Sequence, residues 1–146
     1  MTQSATVLEG DAAEIMRLHR EFVDANSPLD SRYLRRRASA NPDELVWYNL
    51  NGSAYIGQDH IARLWDTLSS NMSGQAVSAD LRDERVEVEG DVAWVTYLSR
   101  YQADFGELGA YDGGMRSTEI WRRRGGEWRL VHTHFSAHVP DQMGGR

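Results

Sequence analysis

The spacing of apolar positions divides the chain into a helical first part and a strand-rich second part. Ala12, Ile15, Leu18, Phe22 and Val23 recur at the interval of one helical face. Asp11 offers an N-cap with Glu14 three residues on, and Ser27-Pro28 disfavours continuation beyond Asn26. Asp30 is placed to cap a short second helix carrying Tyr33 and Leu34, closed by Asn41-Pro42. Leu45 to Tyr48 reads as a strand, Asn51-Gly52 as a hairpin turn and Ala54 to Ile56 as the return strand. A third helix begins at Gln58 or Asp59, with Ile61, Leu64, Trp65, Leu68 and Met72 on one face. Ser69 to Gly74 reads as a polar loop.

From Val77 the period becomes two. Val77 to Val88 and Val92 to Phe105 read as long strands joined at Gly90-Asp91, and Gly106 to Gly114 as a glycine-bearing loop. Met115 to Ala137 then forms a hairpin, with β-branched and aromatic residues on both arms and Arg124-Gly125-Gly126 at the turn. Pro140, just beyond, cannot extend a ladder. The order predicts an α+β domain in which about three helices cover the concave face of a curved antiparallel sheet, leaving a conical cavity at the open end. No repeat or linker interrupts it, so residues 1–146 form one domain with an ordered core of about 8–137.

Composition narrows the function. At 146 residues the chain can build a core without staples, and it has no cysteine, which removes disulfides, thiol catalysis and cysteine-ligated metals. No run approaches the ~18 apolar residues of a membrane span. The N-terminus has neither a basic start nor an apolar stretch, and the expectation is a cytoplasmic protein without a membrane partner. A net charge of −6 argues against nucleic acid. All 16 basic residues are arginine, with triplets at Arg35–Arg37 and Arg122–Arg124; these read either as anion sites or as a solvated helix end and hairpin tip.

Several segments, in this order and spacing, carry a resemblance: Leu45-Val46-Trp47-Tyr48 with Gly52, Gly57-Gln58-Asp59 and Ile61; Gly90-Asp91-Val92-Ala93; and Thr118-Glu119, Trp121, Gly125-Gly126, Trp128 and Val131-His132. The chain resembles the nuclear transport factor 2-like superfamily, in the branch with SnoaL-like and ketosteroid isomerase-like domains. Its last segment is similar to the association domain of calcium/calmodulin-dependent kinase II. The resemblance implies a cone-shaped, cystatin-like α+β fold with a pocket at its wide end, and association through the sheet, usually as a homodimer. Function does not follow from such a fold. The isomerases' tyrosine, aspartate base and second acid correspond to Phe22, to Tyr48 or Asn49, and to Glu119, so only the last keeps an acid. The association domain's three pocket arginines correspond to Ser99, Glu119 and Phe135, so its carboxylate preference does not carry over.

Glu119 is the leading candidate for chemistry. Alternation puts it on one face with Ser117 and Trp121, and the resemblance turns that face into the cone. There, an apolar setting would raise its pKa and suit it to general acid–base work; the competing reading pairs it with Arg116 or another arginine as a structural bridge. Tyr97, Ser99 and Tyr101 alternate on one strand face, Tyr97 as a hydrogen-bond donor and the others as ligand contacts; Phe22, Tyr48, Thr133 and Phe135 complete the expected lining. Tyr55 and Trp65 add aromatic lining or core. His132 and His134 share a strand face at i, i+2 but have no third ligand, so no metal is assigned; the resemblance puts this face on the convex side of the sheet, which implies interface residues, with Trp128 and Leu130 beside them. His19 reads as a partly exposed helical histidine beside the apolar stripe, and His60 and His138 have no supporting constellation. No glycine loop or nucleophile elbow suggests a cofactor or a serine hydrolase. Two functions remain open. One is a cofactor-free isomerase, cyclase or dehydratase acting on an apolar small molecule, with Glu119 as acid or base and Tyr97 or Tyr48 as hydrogen-bond donor. The other is a non-catalytic ligand-binding or oligomerisation domain.

Overall fold

The computed structural model describes residues 8–137. Three helices, α1 (Gly10–Ala25), α2 (Ser31–Arg37) and α3 (Gln58–Asn71), pack on six strands: β1 (Val46–Tyr48), β2 (Ala54–Ile56), β3 (Val77–Glu89), β4 (Val92–Asp104), β5 (Ala110–Arg124) and β6 (Glu127–Ala137). The sheet runs β2-β1-β6-β5-β4-β3 and is not closed. It is mixed rather than wholly antiparallel, because β1 lies parallel to β6. A three-residue strand at the N-terminal side joins a hairpin made much later in the chain, a pairing that no local pattern signals. Together the layers make the expected α+β, cone-like fold.

Local chemistry explains most boundaries. Asp30 caps α2 by accepting from the Arg32 amide at 3.0 Å. Asp11, expected to cap α1, instead lies in its first turn and pairs with Arg123 at 2.8 Å. The β5–β6 turn has φ +58° at Gly125 and +81° at Gly126, the two positive values that a tight hairpin of matching twist requires. The stretch from Gly106 to Gly114 is not all loop. A single 3-10 turn, Gly106–Leu108, is followed at once by β5, whose Tyr111 and Gly113 pair with Ala103 and Tyr101 of β4.

The core lies between the helices and the concave face: Ile15, Leu18 and Phe22 of α1, Trp47 of β1, Trp65 of α3 and Trp121 of β5 are all essentially inaccessible. Three bulges decide which strand residues join it. On β6, Ile120 faces His132 while Trp121 faces Leu130, so Val131 is an extra residue and the inward phase shifts there. Trp128 and Leu130 therefore point inward, 7% and 0% exposed, and do not share the outer face of His132 and His134. This corrects the expected four-residue outer face. On β3 two further shifts, between Ala79 and Arg82 and between Arg82 and Arg85, accompany left-handed backbone at Asp80 and Asp83. They bring Glu84 toward α1.

Candidate functional site: a buried histidine–carboxylate cluster behind a wide-end cavity

Glu119 is completely buried, and its partner is His19, not Arg116. Arg116 faces Ser136 and belongs to the exposed side of β5. His19 Nδ1 lies 2.7 Å from Glu119 Oε2, and Nε2 lies 2.7 Å from Glu84 Oε2. The Trp121 indole donates to Glu119 Oε1 at 3.0 Å. Arg20, on the surface, reaches the other oxygen of Glu84 at 3.3 Å. A neutral imidazole has one N–H, so two ionised carboxylates on its two nitrogens would leave one pair of lone pairs facing each other. The cluster therefore holds an additional proton, either as an imidazolium or on one carboxyl.

The electrostatics agree with an imidazolium. Burial by itself pulls the His19 pKa down. The hydrogen bond and charge of Glu119, then those of Glu84, more than offset it, and the net shift is upward from the ordinary 6.5. The Tyr97 ring sits edge-on to His19 with centroids 4.5 Å apart. Burial, then the nearby Glu119 charge, holds its phenol far above the usual range, so it remains a donor.

The wide end of the cone holds a cavity of about 260 Å³. Trp65, Tyr101, Phe105, Tyr111, Met115 and Phe135 supply its apolar wall, and Asn26, Asn49 and Asn51 its amides. No charged side chain lines it. Glu119, His19 and Tyr97 lie deeper: Met115 lines the cavity, and Glu119 is four residues further along β5, about 13 Å at the rise of a strand. Between them sit polar atoms without partners. Tyr33 Oη, Ser99 Oγ and Ser117 Oγ are the buried side-chain polar atoms lacking a hydrogen bond among the described residues. The Tyr97 hydroxyl approaches Ser117, but outside hydrogen-bond geometry. Each such orphan costs roughly 1–3 kcal/mol.

The expected site residues thus divide. Tyr101 and Phe135 line the cavity; Ser99 lies just behind it; Tyr97 and Thr133 neighbour Glu119, and Phe22 is core, packed on Trp47 and Phe135. Tyr48 is not a lining residue. It is 44% exposed on the outer face, edge-on to His132 and His134 at 5.4 Å each, because the inward position of β1 belongs to Trp47. Its neighbour Asn49 reaches the cavity instead. His19 is fully buried, not partly exposed. Its place on the stripe of Ile15, Leu18, Phe22 and Val23 was a legible signal, whereas Glu84 depends on bulges that no pattern announces. Both arginine triplets are engaged: Arg35 with Asp59, Arg37 with Glu21, Arg122 and Arg124 with Glu44, Arg123 with Asp11 and Asp91, and Arg36 over the Tyr33 ring. Among the described residues no three His, Cys, Asp or Glu side chains are grouped to hold a metal. His138 and Pro140 lie outside the described residues.

The SnoaL-like domain profile matches residues 15–141. The chain belongs to the SnoaL-like domain family. Its fold is similar to a nuclear transport factor 2-like superfamily protein from Salmonella enterica, at TM-score 0.77 and 18% identity over 91% of this chain and 94% of the other. It is also similar to a proposed dehydratase of the NTF2-like family from Streptomyces avermitilis, at 0.75 and 18% over 89% and 97%. The association domain of C. elegans CaMKII matches at 0.64 and 20% over 86% and 94%. No curated protein matches the chain in sequence. At these identities the likeness concerns the fold. No helix among the described residues is long and apolar enough to cross a membrane.

Proposed function

We propose that this SnoaL-like domain is a small-molecule pocket protein whose wide-end cavity takes a neutral, mostly apolar compound. The observation that carries this reading is the lining itself: a wall of aliphatic and aromatic side chains, three amides and no charge around about 260 Å³. A thermal-shift screen of neutral aromatic and alicyclic compounds tests it. Hits are expected to lose at least tenfold in affinity in Met115→Trp, which fills the cavity. Equal binding in that variant, or no stabilising compound, overturns the reading.

A catalytic extension is favoured by the proton-holding cluster behind the cavity. In it, His19–Glu119 is the acid–base couple of a cofactor-free isomerase, cyclase or dehydratase, and Tyr97 donates a hydrogen bond to developing negative charge. Both Glu119 oxygens are already engaged, so this chemistry requires the bound molecule to displace one partner. Conversion of a hit by the wild type and not by Glu119→Gln supports it; recovery of every hit unchanged leaves a binding domain. The association domains among its structural relatives also favour a homodimer through the outer sheet face of Tyr48, Trp94, His132 and His134. Sedimentation at monomer mass at micromolar concentration would remove that proposal.

A further inference from the structure

The three unpartnered hydroxyls are not scattered. Ser99 pairs in register with Met115, and Ser117 with Phe135; both partners line the cavity. Tyr33 stacks on Trp65, another lining residue, with centroids 6.3 Å apart. On the deeper side, Ser117 is two residues from Glu119 on the same face of β5, and Ser99 two residues from Tyr97 on β4. The orphans therefore mark the boundary between the apolar cavity and the charged cluster. Buried polar groups in folded proteins are paired almost without exception, so a group of three at one boundary calls for a partner that the chain itself does not provide.

We infer that Ser99, Ser117 and Tyr33 form the recognition floor of the cavity, and that its ligand has an aromatic or alicyclic body with a neutral carbonyl or hydroxyl oxygen at its leading end. This rests on the cavity-binding reading and gives it a direction: the body stays among Trp65, Tyr101 and Phe135 while the oxygen goes in first. Serine hydroxyls both donate and accept, and burial keeps the Tyr33 phenol protonated as a donor, so either oxygen type is satisfied. A carboxylate at that end would face Glu119 with no arginine among the cavity lining to offset it. Sites that hydrogen-bond a ligand oxygen discriminate strongly against analogues lacking it, because their own groups are otherwise left unpaired.

The test uses naphthalene, 2-naphthol and 2-naphthoate as probes, with binding followed by isothermal titration calorimetry near pH 7. Wild type is expected to bind 2-naphthol at least tenfold tighter than naphthalene, and 2-naphthoate no tighter than naphthalene. In Ser99→Ala/Ser117→Ala, which leaves only the Tyr33 hydroxyl of the three, the preference for 2-naphthol should fall at least threefold, with naphthalene affinity unchanged. The same double variant should unfold at the wild-type temperature or above it, since it removes orphans and breaks no bond. Naphthalene binding without a hydroxyl preference, or a preference undiminished in the double variant, overturns the recognition floor and leaves the cavity reading intact. Tighter binding of 2-naphthoate overturns the neutral end. Binding of none of the three removes the cavity reading with it. A double variant that unfolds well below wild type shows the hydroxyls to be structurally bonded and overturns the inference directly.

Discussion

Replacing Glu119 by leucine should show how much the buried cluster contributes to stability. The change removes an acceptor from His19 Nδ1 at 2.7 Å and from the Trp121 indole at 3.0 Å, both in a site with no solvent access. A hydrogen bond to a charged group contributes roughly 1.5–3 kcal/mol, and leaving a buried donor unpaired costs roughly 1–3 kcal/mol. The sum, about 2.5–6 kcal/mol, brackets the roughly 3–5 kcal/mol found when one partner of a buried ion pair is removed, and a leucine side chain returns only part of it. At roughly 2–4 °C per kcal/mol for a domain of this size, the expected fall in Tm is about 10 °C. Glu119→Gln should cost much less. Its amide can accept from Trp121 and donate to Nδ1 of a neutral His19, whose Nε2–H still serves Glu84. The pH dependence separates the two states. The folded-state pKa of His19 lies above its ordinary 6.5, so its stabilising contribution is complete below about that pH and is lost as pH rises through the folded value. The Gln variant should flatten that slope and lower the His19 pKa. Urea unfolding across pH 5–9, with histidine ring NMR titration, measures both. A Leu variant within about 0.5 kcal/mol of wild type, or a His19 titration unchanged in the Gln variant, would refute the reasoning.

Three other outcomes are expected. Trp121→Phe keeps the ring volume largely in place but removes the donor to Glu119, and should cost about 1–2 kcal/mol by chemical denaturation; no loss would mean the indole bond is immaterial. Gly126→Ala forces a side chain onto φ +81° with no atom within 4 Å of the added Cβ, so any destabilisation, about 1 kcal/mol, is backbone strain and not a clash. Tyr48→Ala, on the outer face, should leave probe binding in the cavity unchanged while weakening the proposed self-association, as read by analytical ultracentrifugation; a loss of probe binding would return Tyr48 to the lining.

Much of the architecture was legible because its causes are local. The stripe from Ile15 to Val23, the Asp30 cap, the period-two run after Val77 and the paired glycines after Arg124 each specify backbone conformation through residues close in sequence. Alternation grouped Glu119 with Ser117, and Tyr97 with Ser99 and Tyr101, and the resemblance turned Glu119 and Phe135 inward; all of them are buried. Where a bulge intervened, alternation failed: one extra residue at Val131 exchanged the faces of Trp128 and Leu130, and two more on β3 re-aimed Glu84. Tertiary structure alone decided what met what. His19 and Glu119 are 100 residues apart, and only the packing of α1 on the sheet brings them to 2.7 Å with both side chains fully buried. An acid's partner, and the proton the two share, depend on long-range burial, whereas a residue's face on a strand depends on its neighbours.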